Sequence, residues 1–284
     1  MEIINTATPS SNIVKSNSKL INTKRKTKEK LIYIFLGLAT AITLGFLFWL
    51  VGYIIINGIL HIDLIYLMPA IVTTIYMVLI GLGIAVPIGV GAAIYLQEYA
   101  TEGKFVKVIR FATECLTAVP SILFGLFGML FFVTTLKMSW SLLAGGLTVS
   151  IMILPTVVKT TEEALKTVPI SYREASLALG ANKIMTILKV VLPSSIPGIL
   201  AGIVLSMGRI IGETAAIYLT AGTVFGFPDS IMNSGRTLSV HLYILAKEGV
   251  SLSEAYGAAV VLLIIILSLN CLSYFIATKM KKLK

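Results

Sequence analysis

Six apolar stretches, over roughly 31–56, 69–96, 115–136, 141–158, 198–222 and 255–277, decide what this chain can fold into. Each reaches or approaches the ~20 residues that carry a helix across a hydrocarbon core of ~30 Å. Inside lipid every backbone N–H and C=O must find its partner within the segment, so the stretches are expected to be helices. The expected fold class is therefore all-α: a polytopic membrane protein with six transmembrane helices, the first standing beside a five-helix core. Composition agrees, at 57% hydrophobic and 13% charged, where a soluble domain runs near half and a quarter. One soluble core of this size cannot bury that much apolar surface.

The net charge of +10 raises the question of a nucleic-acid partner. The basic residues lie at segment ends and not along one soluble face, so none is expected. Their distribution sets orientation instead. With the N-terminus in the cytoplasm, nineteen Lys and Arg fall inside and three (Lys137, Arg236, Lys247) outside, the remaining one, Arg209, lying within the fifth segment. Both termini are thus expected in the cytoplasm of a multi-pass cell-membrane protein. Residues 1–30, rich in Ser, Asn, Thr and Lys, read as a disordered basic cytoplasmic tail, too long and too charged for a signal peptide. The plan is then tail 1–30, first transmembrane helix 31–60, and a core over 67–278 with a cytoplasmic loop at 159–197.

That loop reads as helices. Thr160/Glu163 and Ser171/Glu174 have capping-box spacing, Gly180 suits a left-handed helix end, and Asn182 can start a helix expected to stop at Leu192, before Pro193. Its apolar residues, among them Ala175, Leu179, Ile184, Ile187, Leu188 and Val191, exceed what a solvated loop needs, and a partner protein is the natural cover. The fifth segment carries Gly208-Arg209-Ile210-Ile211-Gly212-Glu213-Thr214. Intramembrane charges are costly and usually face a bundle interior or an aqueous path. Four residues apart, Arg209 and Glu213 are expected to share a face and pair. A guanidinium fork suits a tetrahedral oxyanion, and a nearby carboxylate favours an anion that still carries a proton. Arg209, Glu213 and Thr214 are the candidate substrate path.

Glu174-Ala175-Ser176, three residues, Gly180, nine residues, and Val190-Val191-Leu192-Pro193 resemble the EAA motif of ABC importer permeases, with Ser176 and Val190 as mild departures. The resemblance implies a type I importer permease (MetI-like) fold working by alternating access. In that family the hairpin docks on a cytoplasmic ATPase, so Glu174, Ala175, Ser176, Gly180, Leu192 and Pro193 are the implied coupling residues. No G-x-x-x-x-G-K-[ST] loop is present, and the glycines at 81, 83, 89 and 91 sit inside an apolar segment. The chain is therefore expected not to be an enzyme, to need no cofactor, and to draw energy from another polypeptide. Stretches such as Tyr95-Leu96-Gln97-Glu98-Tyr99, Val119-Pro120-Ser121-Ile122 and Arg209 through Ala215 are similar to phosphate ABC permeases of the PstA type, over about residues 70–225. That likeness implies a second permease of the PstC type, an ATP-binding dimer of the PstB type and an extracytoplasmic phosphate-binding protein of the PstS type. A sulfate or molybdate permease, an ion-coupled secondary transporter with Glu213 as proton carrier, and a non-transporting membrane sensor are the rivals.

Smaller expectations complete the reading. Pro87, Pro120 and Pro155 kink membrane helices. Cys115 and Cys271 are small buried hydrophobes, with no disulfide or metal site. His61 and His241 are isolated and solvated or interfacial. In the outer connection 223–254, Leu238, His241, Leu242 and Leu245 form an amphipathic face for membrane or receptor.

Overall fold

A computed structural model describes residues 9–101 and 103–282, with side chains over 29–275 apart from 31, 102 and 273. Of the tail expected to be disordered at 1–30, residues 9–30 are described as helix and residues 1–8 lie outside the described residues. Eleven α-helices are described: α1 (Pro9–Gly58), α2 (Leu64–Ile94), α3 (Lys104–Ala118), α4 (Ser121–Gly128), α5 (Leu142–Lys166), α6 (Ile170–Ala178), α7 (Lys183–Thr186), α8 (Leu192–Gly212), α9 (Ala215–Thr220), α10 (Leu238–Lys247) and α11 (Leu252–Lys282). π-turns over Tyr95–Tyr99, Met129–Thr135 and Ile187–Val191 extend α2 and α4 and join α7 to α8. Among the described residues, five continuous helices are long and apolar enough to cross a membrane, or six with the bent pair α3 and α4. The chain divides after Ile56 into two units. In the first, α1 exposes every side chain from Ile32 through Leu50, as a helix solvated by lipid does.

The second unit is built around α5. Two thirds of its apolar window (67%) is buried, against a third or less for the other spans, which makes it the central strut. Met152, Ile153 and Val149 of α5 meet Met77 of α2, Ile210 of α8 and Ile217 of α9 in one core. Close approach of α8 is bought by small residues: a Cβ on Gly202 would collide with Thr160, and one on Gly198 with Ala164. At the N-terminal end of α5, the amides of Ser141, Leu142 and Leu143 donate to the carbonyls of Thr220, Asn233 and Ile231, so the returning connection satisfies the orphan donors there.

Four expectations are corrected. The third apolar stretch is not one helix: α3 and α4 meet at 100°, with Pro120 between them and not inside a helix, because the missing N–H and fixed φ of proline end one helix and start another. Cys115 and Cys271 are exposed, since apolar residues on a lipid-facing surface need no burial. His241 is fully buried, and so are Leu238 and Leu245: the amphipathic face of α10 turns into the protein, against α2 and α11. The Thr160 capping box does not form. α5 simply runs on past Val158 to Lys166, and the Thr160 hydroxyl donates back to the Thr156 carbonyl at 2.8 Å.

Candidate functional site

Two places gather the residues singled out from sequence. The first is the hairpin of α6 and α7. α6 starts behind Pro169 with no side-chain cap, so the Ser171/Glu174 box is not made and Glu174 stands exposed. Gly180 turns the chain at φ +86°, and Asn182 caps α7 by accepting from the Met185 amide at 2.8 Å, both as expected. A Cβ at Gly180 would meet nothing, so Gly180→Ala carries only the left-handed backbone cost of about 1 kcal/mol. Amide hydrogen exchange across the hairpin is expected to speed up about fivefold in that variant. Pro193 does not stop the next helix. α7, the π-turn and α8 run on as one helix from Lys183 to Gly212. The Leu192 amide donates five residues back to the Ile187 carbonyl, and this wider turn accommodates the proline ring.

Ile187 and Val191 are buried within the chain, but Ile170, Tyr172, Leu177, Ile184 and Leu188 are exposed, and Leu179 at the tip is 90% exposed. The hairpin has few buried residues of its own and is fastened by polar contacts. Arg173 donates to the Glu98 carboxylate at 2.8 Å, to the Leu165 carbonyl at 3.0 Å and to the Val168 carbonyl at 2.7 Å. One guanidinium thus joins the hairpin to the turn that extends α2 and to carbonyls at and just beyond the end of α5. The Ser176 and Thr186 hydroxyls lie 2.9 Å apart and tie the two arms together. Sequence reasoning missed Arg173 as a fastener because its partner stands 75 residues away.

The second place is the end of α8. The helix ends at Gly212, Glu213 is extended, and α9 starts after Thr214. The expected Arg209–Glu213 pair is therefore absent. The Glu213 carboxylate is buried and accepts from the Ala216 amide at 3.0 Å, capping α9, while the Ser239 hydroxyl donates to its carbonyl at 2.6 Å. Thr214 is half-buried beside it. Arg209 has one long contact, Nη1 to the Thr156 hydroxyl at 3.4 Å, and no carboxylate among the described residues. Its other donors have no partner among the described residues. Gly208 and Gly212 have no neighbour within reach of a Cβ, and Leu205 is exposed. With Arg209 they form one unpacked helix face.

Nearby, on α10, the buried His241 ring stacks on Phe225 at 4.6 Å, and its Nδ1 lies 3.4 Å from Arg236 Nη1. Arginine only donates, so Nδ1 accepts and the ring proton sits on Nε2, which has no hydrogen-bond partner. Burial, reinforced by the Arg236 charge, lowers the His241 pKa from 6.5 to about 4. Between those values the unfolded chain binds more protons than the folded one, so stability is lost as pH falls from 6.5 toward 4. Thermal unfolding in detergent is expected to show this fall, and His241→Phe to flatten it.

The family model for binding-protein-dependent transport system inner membrane components matches residues 85–282. Over 91% of its length the chain is 32% identical to a probable ABC transporter permease protein, YqgI, of Bacillus subtilis, of which it covers 98%. It is 36% identical to the phosphate transport system permease protein PstA 1 of Mycobacterium tuberculosis, over 70% of this chain and 67% of that one. Among solved structures, the bacterial alginate ABC transporter in complex with a pentasaccharide-bound periplasmic protein has a similar chain at TM-score 0.66 and 18% identity, covering 89% of this chain and 97% of that one. A chain of the inward-facing MetNI methionine transporter is similar at TM-score 0.59 and 18% identity, over 76% and 94%. At these identities the two structures speak for the fold.

Proposed function

Because the chain belongs to the binding-protein-dependent transport system inner membrane components, we propose that it is the PstA-type permease subunit of an ATP-driven phosphate importer in a cell membrane. Members of this family work with an ATPase and a substrate-binding protein. Here those partners are a PstB-type dimer and a PstS-type receptor, and the path is shared with a PstC-type permease. The observation that carries the reading is Arg209, a membrane arginine without a carboxylate partner on an open, glycine-flanked helix face. Such a group binds an oxyanion and, in a half-exposed setting, releases it. The PstA relatives supply the ion's identity.

Both termini lie in the cytoplasm, and the hairpin with Glu174, Ala175, Ser176 and Gly180 at its first arm docks on the ATPase through its exposed apolar residues. Leu192 and Pro193 mark where the hairpin passes into α8. ATP binding and hydrolysis move the hairpin, and the spans alternate between outward and inward access around Arg209, Glu213 and Thr214. Purification of the chain with its neighbours, followed by assay in vesicles, tests this. Receptor-dependent ATP hydrolysis stimulated by phosphate and not by sulfate is the expected result. Uptake that survives ATP depletion and collapses with the proton gradient would reject it in favour of ion-coupled transport.

A further inference from the structure

We propose that the inner half of the path has a second oxyanion station, centred on Lys159. The inference deepens the phosphate-permease reading and rests on it. Lys159, Glu163 and Lys166 are the exposed residues of α5, whose other side chains are buried or half-buried. With Thr156 they recur at three- and four-residue steps, which sets them on one helix face. Thr156 is the residue that Arg209 touches, at 3.4 Å. The stripe therefore starts at Arg209 and descends α5 toward the hairpin.

A cleft of about 150 Å³ between α3 and α5 receives it, lined by Lys159, Glu163 and Lys166 together with Arg110 of α3. That is room for about five waters, or for a tetrahedral anion with part of its hydration shell. Arg110 is held to Glu162 at 3.4 Å, and its buried Nε has no hydrogen-bond partner. Three cations (Arg110, Lys159 and Lys166) and three carboxylates (Glu114, Glu162 and Glu163) line this cleft, and an anion leaving Arg209 meets the ammonium of Lys159 one turn further along α5. Interleaved carboxylates keep the hold weak and accept a hydrogen bond from a protonated oxyanion, which suits passage and not storage. The stripe continues the chemistry of Arg209 toward the cytoplasm.

The experiment uses the whole importer in vesicles, in a Cys115→Ser, Cys271→Ser background. Lys159→Cys is expected to slow import of labelled phosphate about fivefold, the scale of a partly screened charge. A cationic thiol reagent (aminoethyl methanethiosulfonate) is expected to restore most of the rate, whereas the anionic sulfonatoethyl reagent lowers it further; Lys159→Arg keeps the parental rate. Parental import in Lys159→Cys, or equal effects of the two reagents, overturns the second station and leaves the permease reading intact. Failure of the parental complex to import phosphate at all overturns both.

Discussion

Arg209→Gln is expected to reduce phosphate import roughly 10- to 150-fold while the complex still assembles, since a hydrogen bond to a charged group contributes about 1.5–3 kcal/mol and each 1.4 kcal/mol is tenfold. The prediction follows from how little holds this arginine. A structural arginine in a membrane is paired, and its loss strands a carboxylate. Arg209 leaves behind only the Thr156 hydroxyl, and the face around it is already unpacked. Its removal should therefore spare folding and damage transit. Labelled-phosphate uptake, set against the amount of assembled complex, separates the two. Unchanged uptake with normal assembly removes Arg209 from the path. Glu213→Gln is expected to behave differently, because its carboxylate caps α9 and its main effect falls on the break in the helix.

The second large effect is at Arg173. Arg173→Ala removes bonds to Glu98 and to two carbonyls at the end of α5, and leaves Glu98 largely buried without its cation. Breaking a buried pair from one side costs about 3–5 kcal/mol. The membrane helices have their own core and should stay folded. The hairpin should lose its seat, so amide exchange over residues 170–182 rises steeply and import falls to background while the ATPase subunits still hydrolyse ATP. Arg173→Lys should restore part of the function, because an ammonium reaches Glu98 but cannot fork to the carbonyls as well. Coupled import at the normal rate in Arg173→Ala would mean that the hairpin is held by something else.

How far these sites were legible in the sequence follows from what each signal measures. Apolar runs report desolvation, so they placed the membrane segments well and broke down where the chain bends without leaving the apolar phase, at Pro120 and after Gly212. Gly180 and Asn182 were readable because each answers a local backbone need. The capping boxes at Thr160 and Ser171 were not, since a hydroxyl inside a continuing helix bonds back to its own turn, as Thr160 does. The burial of His241 depends on α2 and α11 closing over a ten-residue helix whose pattern alone also suits a membrane surface. Arg173–Glu98 and Arg209–Thr156 join residues far apart in sequence, and no local period encodes them.

The π-turn at Ile187–Val191 has a consequence for how the hairpin is aimed. A π-turn holds one residue more than an α-turn, so it works as a spacer in the helix that carries the hairpin into the membrane. If the stretch became plain α-helix with every residue kept, everything before it would rotate by about 100°, the angle of a single helical step. Leu179 and Ile184 would then point away from whatever they now face. The width of this one turn, which takes up a residue without turning the helix further, sets the direction in which the hairpin presents its tip.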